Sequence, residues 1–411
     1  MTLEIRRKVY TERWSPRLPA PSIRPFLVAA ATILLALMAS STPTPLYATY
    51  AAEWHFSSLT VTEVYAVYAL GVLLALLTTG GISDRTGRRP VLVAALIGLV
   101  GAEALFMVAG GVAWLFVARS VQGLATGLLL GAAAAALVDL HPTRDGGQAG
   151  LANGIVSAGG IGLGAAVSGL LVQYGPSPEV TPFAVVTVLA LVTAAAAWRL
   201  PETVAPTGSL ALTPRMPSVP RALWRTFTLS ALGVLAAWSV GGLYLSLGPG
   251  IVDQLLRSQN RAVGGLFVFM VAGAATLVQW LLRDASTRMT VVGGAAALAV
   301  GSVITAATVA SGSLAGFLAG SVLVGLGFGG AFMGALRSLT SVLPPAHRAG
   351  VMAAFLVVAY ASISIPAIGA GVASVHIGLD SATAWFGAAV AVVAAAVAVF
   401  GWFELQPRPA S

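Results

Sequence analysis

The stretch GGISDRTGRR, Gly80 to Arg89, places four charges in the six positions from Asp84 to Arg89, and apolar sequence flanks it on both sides. Working outward from it, the 411 residues are 57% hydrophobic and only 9% charged, with mean hydropathy +0.90. A soluble domain carries about 25% charged residues, so there is too little charge here to solvate a globule of this size. The apolar runs instead recur at the length of about 20 residues that crosses a hydrocarbon core of about 30 Å. The charged decapeptide then reads as a tight turn at a membrane surface, between a second and a third span.

Reading windows between polar breaks predicts twelve transmembrane helices, at 26–48, 60–80, 90–110, 112–138, 148–173, 180–200, 225–248, 262–282, 289–311, 314–343, 349–374 and 381–403. The runs are continuous rather than alternating, and lipid satisfies no backbone polar group, so helices are expected rather than a barrel. An even count puts both termini on one side. The tail and loops of that side hold eighteen basic residues, against Arg257 and Arg261 on the other, with Arg119 and Arg337 inside spans. This asymmetry predicts cytoplasmic termini in an inner (plasma) membrane. It also accounts for the net charge of +8 as a topology signal, so no nucleic-acid partner is expected. With no cysteine, disulfides, thiolate metal sites and thiol catalysis are excluded.

The segment Pro201 to Ala222 carries prolines at 201, 206, 214, 217 and 220, too many to continue a helix. The expected organisation is a basic tail (1–25), a six-helix bundle (26–200), a cytoplasmic proline-rich linker (201–222), a second six-helix bundle (223–404) and a short cytoplasmic tail (405–411). The halves repeat at an offset of about 200. Asp84 and Arg88 match Asp284 and Arg288, Trp198 matches Trp402, Pro142 matches Pro344 and Pro345, and Pro43 with Pro45 matches Pro249.

On these residues the chain resembles the major facilitator superfamily. Gly80-x-Ile82-x-Asp84-Arg85-x-Gly87-Arg88-Arg89 is similar to the family's signature between helices 2 and 3. Arg119-Ser-Val-Gln122-Gly123 in helix 4 is similar to a second signature. GGIGLGAAVSG in helix 5 resembles the glycine-rich pattern of twelve-helix drug:proton antiporters, departing from it at Ala165 and Ser168. RLPET, Arg199 to Thr203, resembles a common end to helix 6. The resemblance implies an all-α major facilitator fold and alternating access. It implies a cytoplasmic gate at Gly80, Asp84, Arg85, Gly87 and Arg88, with Asp139 as a partner for Arg88 and a weaker counterpart at Asp284 and Arg288. It also implies a cavity lined by helices 1, 4, 7 and 10.

Ionisable groups inside spans are costly and point to function. At 1.5 Å per residue, Glu63, Glu103 and Arg119 lie about 25, 20 and 30 Å from the cytoplasmic helix ends. They are the candidate proton-coupling residues, either glutamate being a possible partner for Arg119. Arg337, near the cytoplasmic end of helix 10, is expected to snorkel. Candidate substrate-binding residues are Ser41, Tyr47, Arg119, Gln122, Asn153, Trp238, Tyr244, Phe332 and Tyr360. Such an apolar, aromatic lining suits amphipathic molecules better than sugars.

The expected function is proton-coupled efflux of small amphipathic compounds or drugs by a monomer in the lipid bilayer. The partners are the small-molecule substrate and protons, with no cofactor and the proton gradient as energy source. The alternative is a symporter importing a polar or anionic metabolite. No enzyme is expected: His55, His141, His347 and His376 fall at loops or span ends with no triad or metal spacing, and no phosphate-binding loop is present.

Overall fold

The computed structural model describes residues 22–79, 81–205, 214, 216–257 and 260–405. Gly80 lies outside the described residues. Among those described, twelve helices are long and apolar enough to cross a membrane: α1 (Ile23–Glu53), α2 (Ser58–Thr79), α3 (Arg88–Met107), α4 (Val112–Asp139), α5 (Gly146–Tyr174), α6 (Thr181–Trp198), α7 (Arg221–Ser246), α8 (Arg261–Leu281), α9 (Thr287–Val309), α10 (Leu314–Ser341), α11 (Arg348–Ile377) and α12 (Leu379–Glu404). No strand occurs among the described residues.

Local chemistry explains where the spans start and break. Side-chain oxygens of Asp145, Asn260, Ser286 and Ser313 accept the first free backbone N–H groups of α5, α8, α9 and α10. Pro43 and Pro45 break α1 into a 3-10 turn, Thr44–Leu46, after which the helix resumes as Tyr47–Glu53. At the matching place α7 ends at Ser246, and a separate short helix, Gly248–Leu256, begins with Pro249 in its first turn. Proline is tolerated there because a first-turn N–H has no helical partner to lose.

The sequence repeat is a structural repeat. In the first half α1 packs on α4, α5 and α6, α2 on α4, and α3 on α4 and α6. In the second, α7 packs on α10, α11 and α12, α8 on α10, and α9 on α10 and α12. Adding six to every number of the first set yields the second. The main contacts between halves, α2 with α11 and α5 with α8, are exchanged by the same operation. A two-fold relation between the bundles produces this pattern.

The two faces differ. The starts of α1 and α3 and the ends of α4 and α6 meet on one, through the Phe26–His141 ring contact and the bonds of Arg88 to Asp139 and Glu202; the Arg225–Glu404 pair joins α7 and α12 there. We call this the basic face. Toward the opposite face one apolar cluster runs through both halves, from Leu46, Val64 and Ala165 to Leu243, Phe267 and Ala370. Toward the basic face the main clusters are separate, one in the first half and another around Val234, Leu339 and Phe355 in the second, with a small cluster of Tyr68, Val72 and Tyr360 between them. The opposite face is therefore the continuously packed one. Outward-pointing apolar side chains such as Leu74, Val192 and Phe400 form the lipid-facing belt, where water would make them costly and hydrocarbon does not.

Candidate functional site

Arg119 on α4 is fully buried. Its Nε and Nη2 donate to the Tyr47 hydroxyl at 2.8 and 2.5 Å, and its Nη1 donates to the Ser40 carbonyl at 2.7 Å and to Gln122 Oε1 at 2.6 Å. The rings of Tyr47, Tyr65, Tyr68 and Phe106 surround the guanidinium, with centroids 5.1–5.9 Å away. Aromatic faces attract a cation, so this box offsets part of the cost of burying one. Gln122, one helical turn along α4, passes the interaction on. Its Nε2 donates to the Ala39 carbonyl at 3.0 Å and to Glu103 Oε1 at 2.9 Å. Glu103, on α3, is also fully buried, and its Oε2 has no hydrogen-bond partner. A cation and a carboxyl group are thus joined through one amide rather than paired directly.

The structure does not bring Glu63 to this cluster. Along α2, Val61, Val64, Tyr65, Tyr68 and Val72 are buried, while Leu70 and Leu74 are more than half exposed. Glu63 lies on the stripe with Leu70 and Leu74, half-exposed near the opposite face. Of the two possible partners for Arg119, Glu103 is the one connected to it.

Among the substrate candidates, Trp238 packs against Phe332 and Tyr360, with centroids 5.6 and 5.2 Å away. Tyr360 packs with Tyr68 of the first half, which also faces Arg119, so one aromatic path joins the two halves. Trp238 Nε1 is buried without an acceptor. Tyr47 and Gln122 belong to the Arg119 cluster. Ser41 donates to the Ile161 carbonyl at 2.7 Å and ties α1 to α5. Tyr244 bonds Ser321 at 3.1 Å and packs at a tilt on Phe267, 5.3 Å between centroids, in the opposite-face core. Asn153 is half-exposed on α5.

The basic face carries a dense polar junction. Arg88 Nη1 donates to Asp84 Oδ1 and to Ser83 Oγ (2.9 Å), and its Nε donates to Asp139 Oδ2 at 3.2 Å. Thr203 Oγ1 donates to the same Asp139 oxygen at 2.9 Å. Glu202 Oε1 accepts the Arg88 backbone N–H at 2.8 Å, and its Oε2 accepts that of Arg89 at 3.2 Å. A carboxylate on free N–H groups at a helix start is favourable both as a cap and against the helix dipole. Gly87 adopts φ 100°, ψ 153°, and a Cβ there would lie 2.7 Å from Glu202 Cδ. Glycine is required twice, for the backbone conformation and for the approach of the carboxylate. Arg85 is half-exposed in the short helix Ser83–Thr86. A cavity of about 160 Å³ adjoins the junction, lined by Leu76, Asp84, Arg88 and Ala135 on one side and by Met352 and Leu356 of α11 on the other. That is below the 300–1,000 Å³ or so of a pocket for a drug-sized molecule.

Glu202 and Thr203 are legible in the sequence only as part of a helix ending, and the box of Tyr65, Tyr68 and Phe106 is not legible there as a cluster. The i, i+3 spacing of Tyr65 and Tyr68 on an otherwise aliphatic helix was the available signal. The expected counterpart in the second half is corrected by the structure. Asp284 pairs with its neighbour Arg283 at 3.0 Å, and Arg288 instead lies over the Trp402 ring, 3.9 Å from its centroid. Asp284 is largely exposed, and the indole face draws the guanidinium toward the end of α12. Arg337 does not snorkel into solvent alone: it donates to the Leu282, Arg283 and Ala285 carbonyls, satisfying the end of α8.

Comparison with known proteins yields one family match, the Major Facilitator Superfamily, over residues 29–365. That range includes the Arg119 cluster, the basic-face junction and the aromatic path. No curated protein matches the chain.

Proposed function

We propose that this chain, which belongs to the major facilitator superfamily of secondary transporters, is a proton-coupled exporter of small amphipathic compounds working by alternating access. The observation that carries the reading is the buried Glu103–Gln122–Arg119 chain with its unpartnered Glu103 Oε2. With Glu103 ionised the cluster is neutral overall; with Glu103 protonated it carries one positive charge. The two species differ in the cost of being kept dry, because a lone buried charge costs several kcal/mol, on the order of the loss of one partner from a buried pair. A conformational change that alters water access to the cluster therefore moves the proton, and a proton taken up from one side alters the conformational balance.

The aromatic path of Tyr68, Tyr360, Trp238 and Phe332 supports the substrate class. It offers flat apolar surface and one unpartnered indole donor, suited to an amphipathic molecule bearing a hydrogen-bond acceptor. Arg119 is fully buried and bonded to Tyr47, Ser40 and Gln122, which argues against a substrate carboxylate as its partner. The arginine asymmetry supports a cytoplasmic basic face and cytoplasmic chain ends, in an inner (plasma) membrane. On this reading the protein works as a monomer, needs no cofactor and is not an enzyme. Asp84, Arg88 and Asp139 form the cytoplasmic gate beside the cavity.

The test uses purified protein in liposomes with an acidic lumen and a pH-sensitive dye. A panel of lipophilic cations, neutral antibiotics and organic acids is added outside. The expected result is compound-dependent loss of lumenal protons that Glu103→Gln abolishes and Glu63→Gln leaves. Proton movement that survives Glu103→Gln refutes the coupling assignment. A panel that moves no protons, with proton-driven uptake of a metabolite instead, replaces export by symport.

A further inference from the structure

On the opposite face the two contacts between halves end in the same way. At the α2–α11 crossing, Ser58, the first residue of α2, meets Ser374 in the last turn of α11, with 2.6 Å between the hydroxyl oxygens. Ser374 already donates to the Gly371 carbonyl at 2.7 Å, so the Ser58 hydroxyl is the donor between them. At the α5–α8 crossing, Gln173 Oε1 in the last turn of α5 accepts the backbone N–H of Arg261, the first residue of α8, at 2.9 Å. The Arg261 side chain is fixed in turn by Asp253 at 2.6 Å.

Each bond sits beside a glycine that lets the backbones touch. A Cβ on Gly371 would lie 3.2 Å from Leu59 Cα, and one on Gly169 would lie 3.3 Å from Ala262 Cα and 3.1 Å from Gly265 Cα. Gly169 and Gly371, Leu59 and Ala262, and Thr62 and Gly265 are all about 200 residues apart, the offset of the repeat. The two crossings are therefore mates under the two-fold relation, each a close glycine contact closed by hydrogen bonding between halves, which at α5–α8 includes a longer bond from Asn260 Nδ2 to the Tyr174 hydroxyl at 3.4 Å.

We infer that Ser58–Ser374 and Gln173–Arg261 are paired latches that hold the opposite face shut, so that this face opens only when both bonds break. The inference rests on the alternating-access reading. Two bonds placed on either side of the two-fold axis, which runs along the membrane normal, both resist parting of the halves on this face, and each is short enough to be lost in a small separation of the helix ends. Interhelical hydrogen bonds in membranes average about 0.6 kcal/mol. Loss of one is thus expected to raise the open population about threefold, and loss of both about tenfold.

The chain contains no cysteine, which permits a direct test. A single cysteine is placed beneath the α2–α11 crossing at Ala370, which is 4% exposed, and its reaction rate with N-ethylmaleimide is measured in detergent. Ser58→Ala and Gln173→Leu are each expected to raise the rate about threefold, and the pair about tenfold. Rates unchanged in both single variants overturn the inference. Should the double variant not be recovered folded, Ser58→Ala alone decides, since it removes one oxygen at a half-exposed position. Separately, the Ser58→Cys/Ser374→Cys pair is oxidised with copper phenanthroline in the liposome assay. Proton movement is expected to stop and to return with dithiothreitol. If cross-linked protein still moves protons while the maleimide rates rise as stated, the latches stand and alternating access through this face fails.

Discussion

Substituting Gly87 by alanine tests the basic-face junction quantitatively. At φ 100°, ψ 153° a non-glycine residue carries backbone strain of about 1–3 kcal/mol. The new Cβ would also lie 2.7 Å from Glu202 Cδ. A carboxylate on a side chain can retreat, so the clash itself costs little, but retreat gives up the bonds to the Arg88 and Arg89 N–H groups. Each bond to a charged acceptor is worth about 1.5–3 kcal/mol; Glu202 is half-buried, so the lower end applies. Gly87→Ala should therefore destabilise by about 4–6 kcal/mol in all. In a Glu202→Ala background no carboxylate remains to displace, and only the strain of about 1–3 kcal/mol is left. The double-mutant cycle should show a coupling of about 3 kcal/mol, well above the additivity error of about 0.5 kcal/mol. Reversible unfolding in mixed micelles, followed by tryptophan fluorescence, measures all four proteins. If Gly87→Ala costs the same in both backgrounds, Glu202 does not hold this turn and the account of the junction is wrong.

Gln122→Leu strips Glu103 of its one hydrogen-bond donor and Arg119 of one acceptor. It should destabilise by about 3–5 kcal/mol, the cost of breaking a buried charged network; a change under about 0.5 kcal/mol in the same micelle assay would contradict the buried relay. Trp238→Phe keeps the ring but deletes the unpartnered donor, and should lower compound-dependent proton release more for compounds with a strong acceptor than for those without, in the liposome assay. Asp145 caps α5 by accepting the Gly147 and Gln148 N–H groups at 2.8 and 3.1 Å, and these bonds lower its pKa. A depressed carboxyl pKa means the contribution is present above the ordinary aspartate range and is lost as pH falls through the folded value. Asp145→Ala should therefore lower the melting temperature at neutral pH but not after acidification, and equal losses at both would refute the cap. Arg288→Ala should leave the basic-face cavity as reactive toward a maleimide probe at Met352→Cys as in the parent, whereas Arg88→Ala should change it, because only Arg88 bridges two carboxylates.

Much of the architecture was present in the order of residues. Span number, even topology, the break at Pro201 and the repeat follow from hydropathy, arginine placement and proline chemistry, all of which act over a few residues and survive any tertiary arrangement. Asp84, Arg88 and Gly87 were legible for the same reason, since four charges between two apolar spans admit few explanations. What those groups bond was decided elsewhere. The α3 start is held by Glu202 from beyond α6, and Asp139 is shared by Arg88 and Thr203. In the matching loop, similar residues pack on Trp402 instead. Glu63 and Glu103 were equivalent as letters, each one carboxylate in an apolar helix. Only the rotation of α2 and α3 about their axes, set by packing against α4, turned one toward lipid and the other toward Gln122. Helix rotation is a long-range property, fixed by which neighbours interdigitate, and no local pattern on α2 distinguishes its faces strongly enough to state it. Composition and local pattern thus determined that this chain crosses a membrane as two repeated bundles, while contacts between distant spans determined which of its few charges are connected.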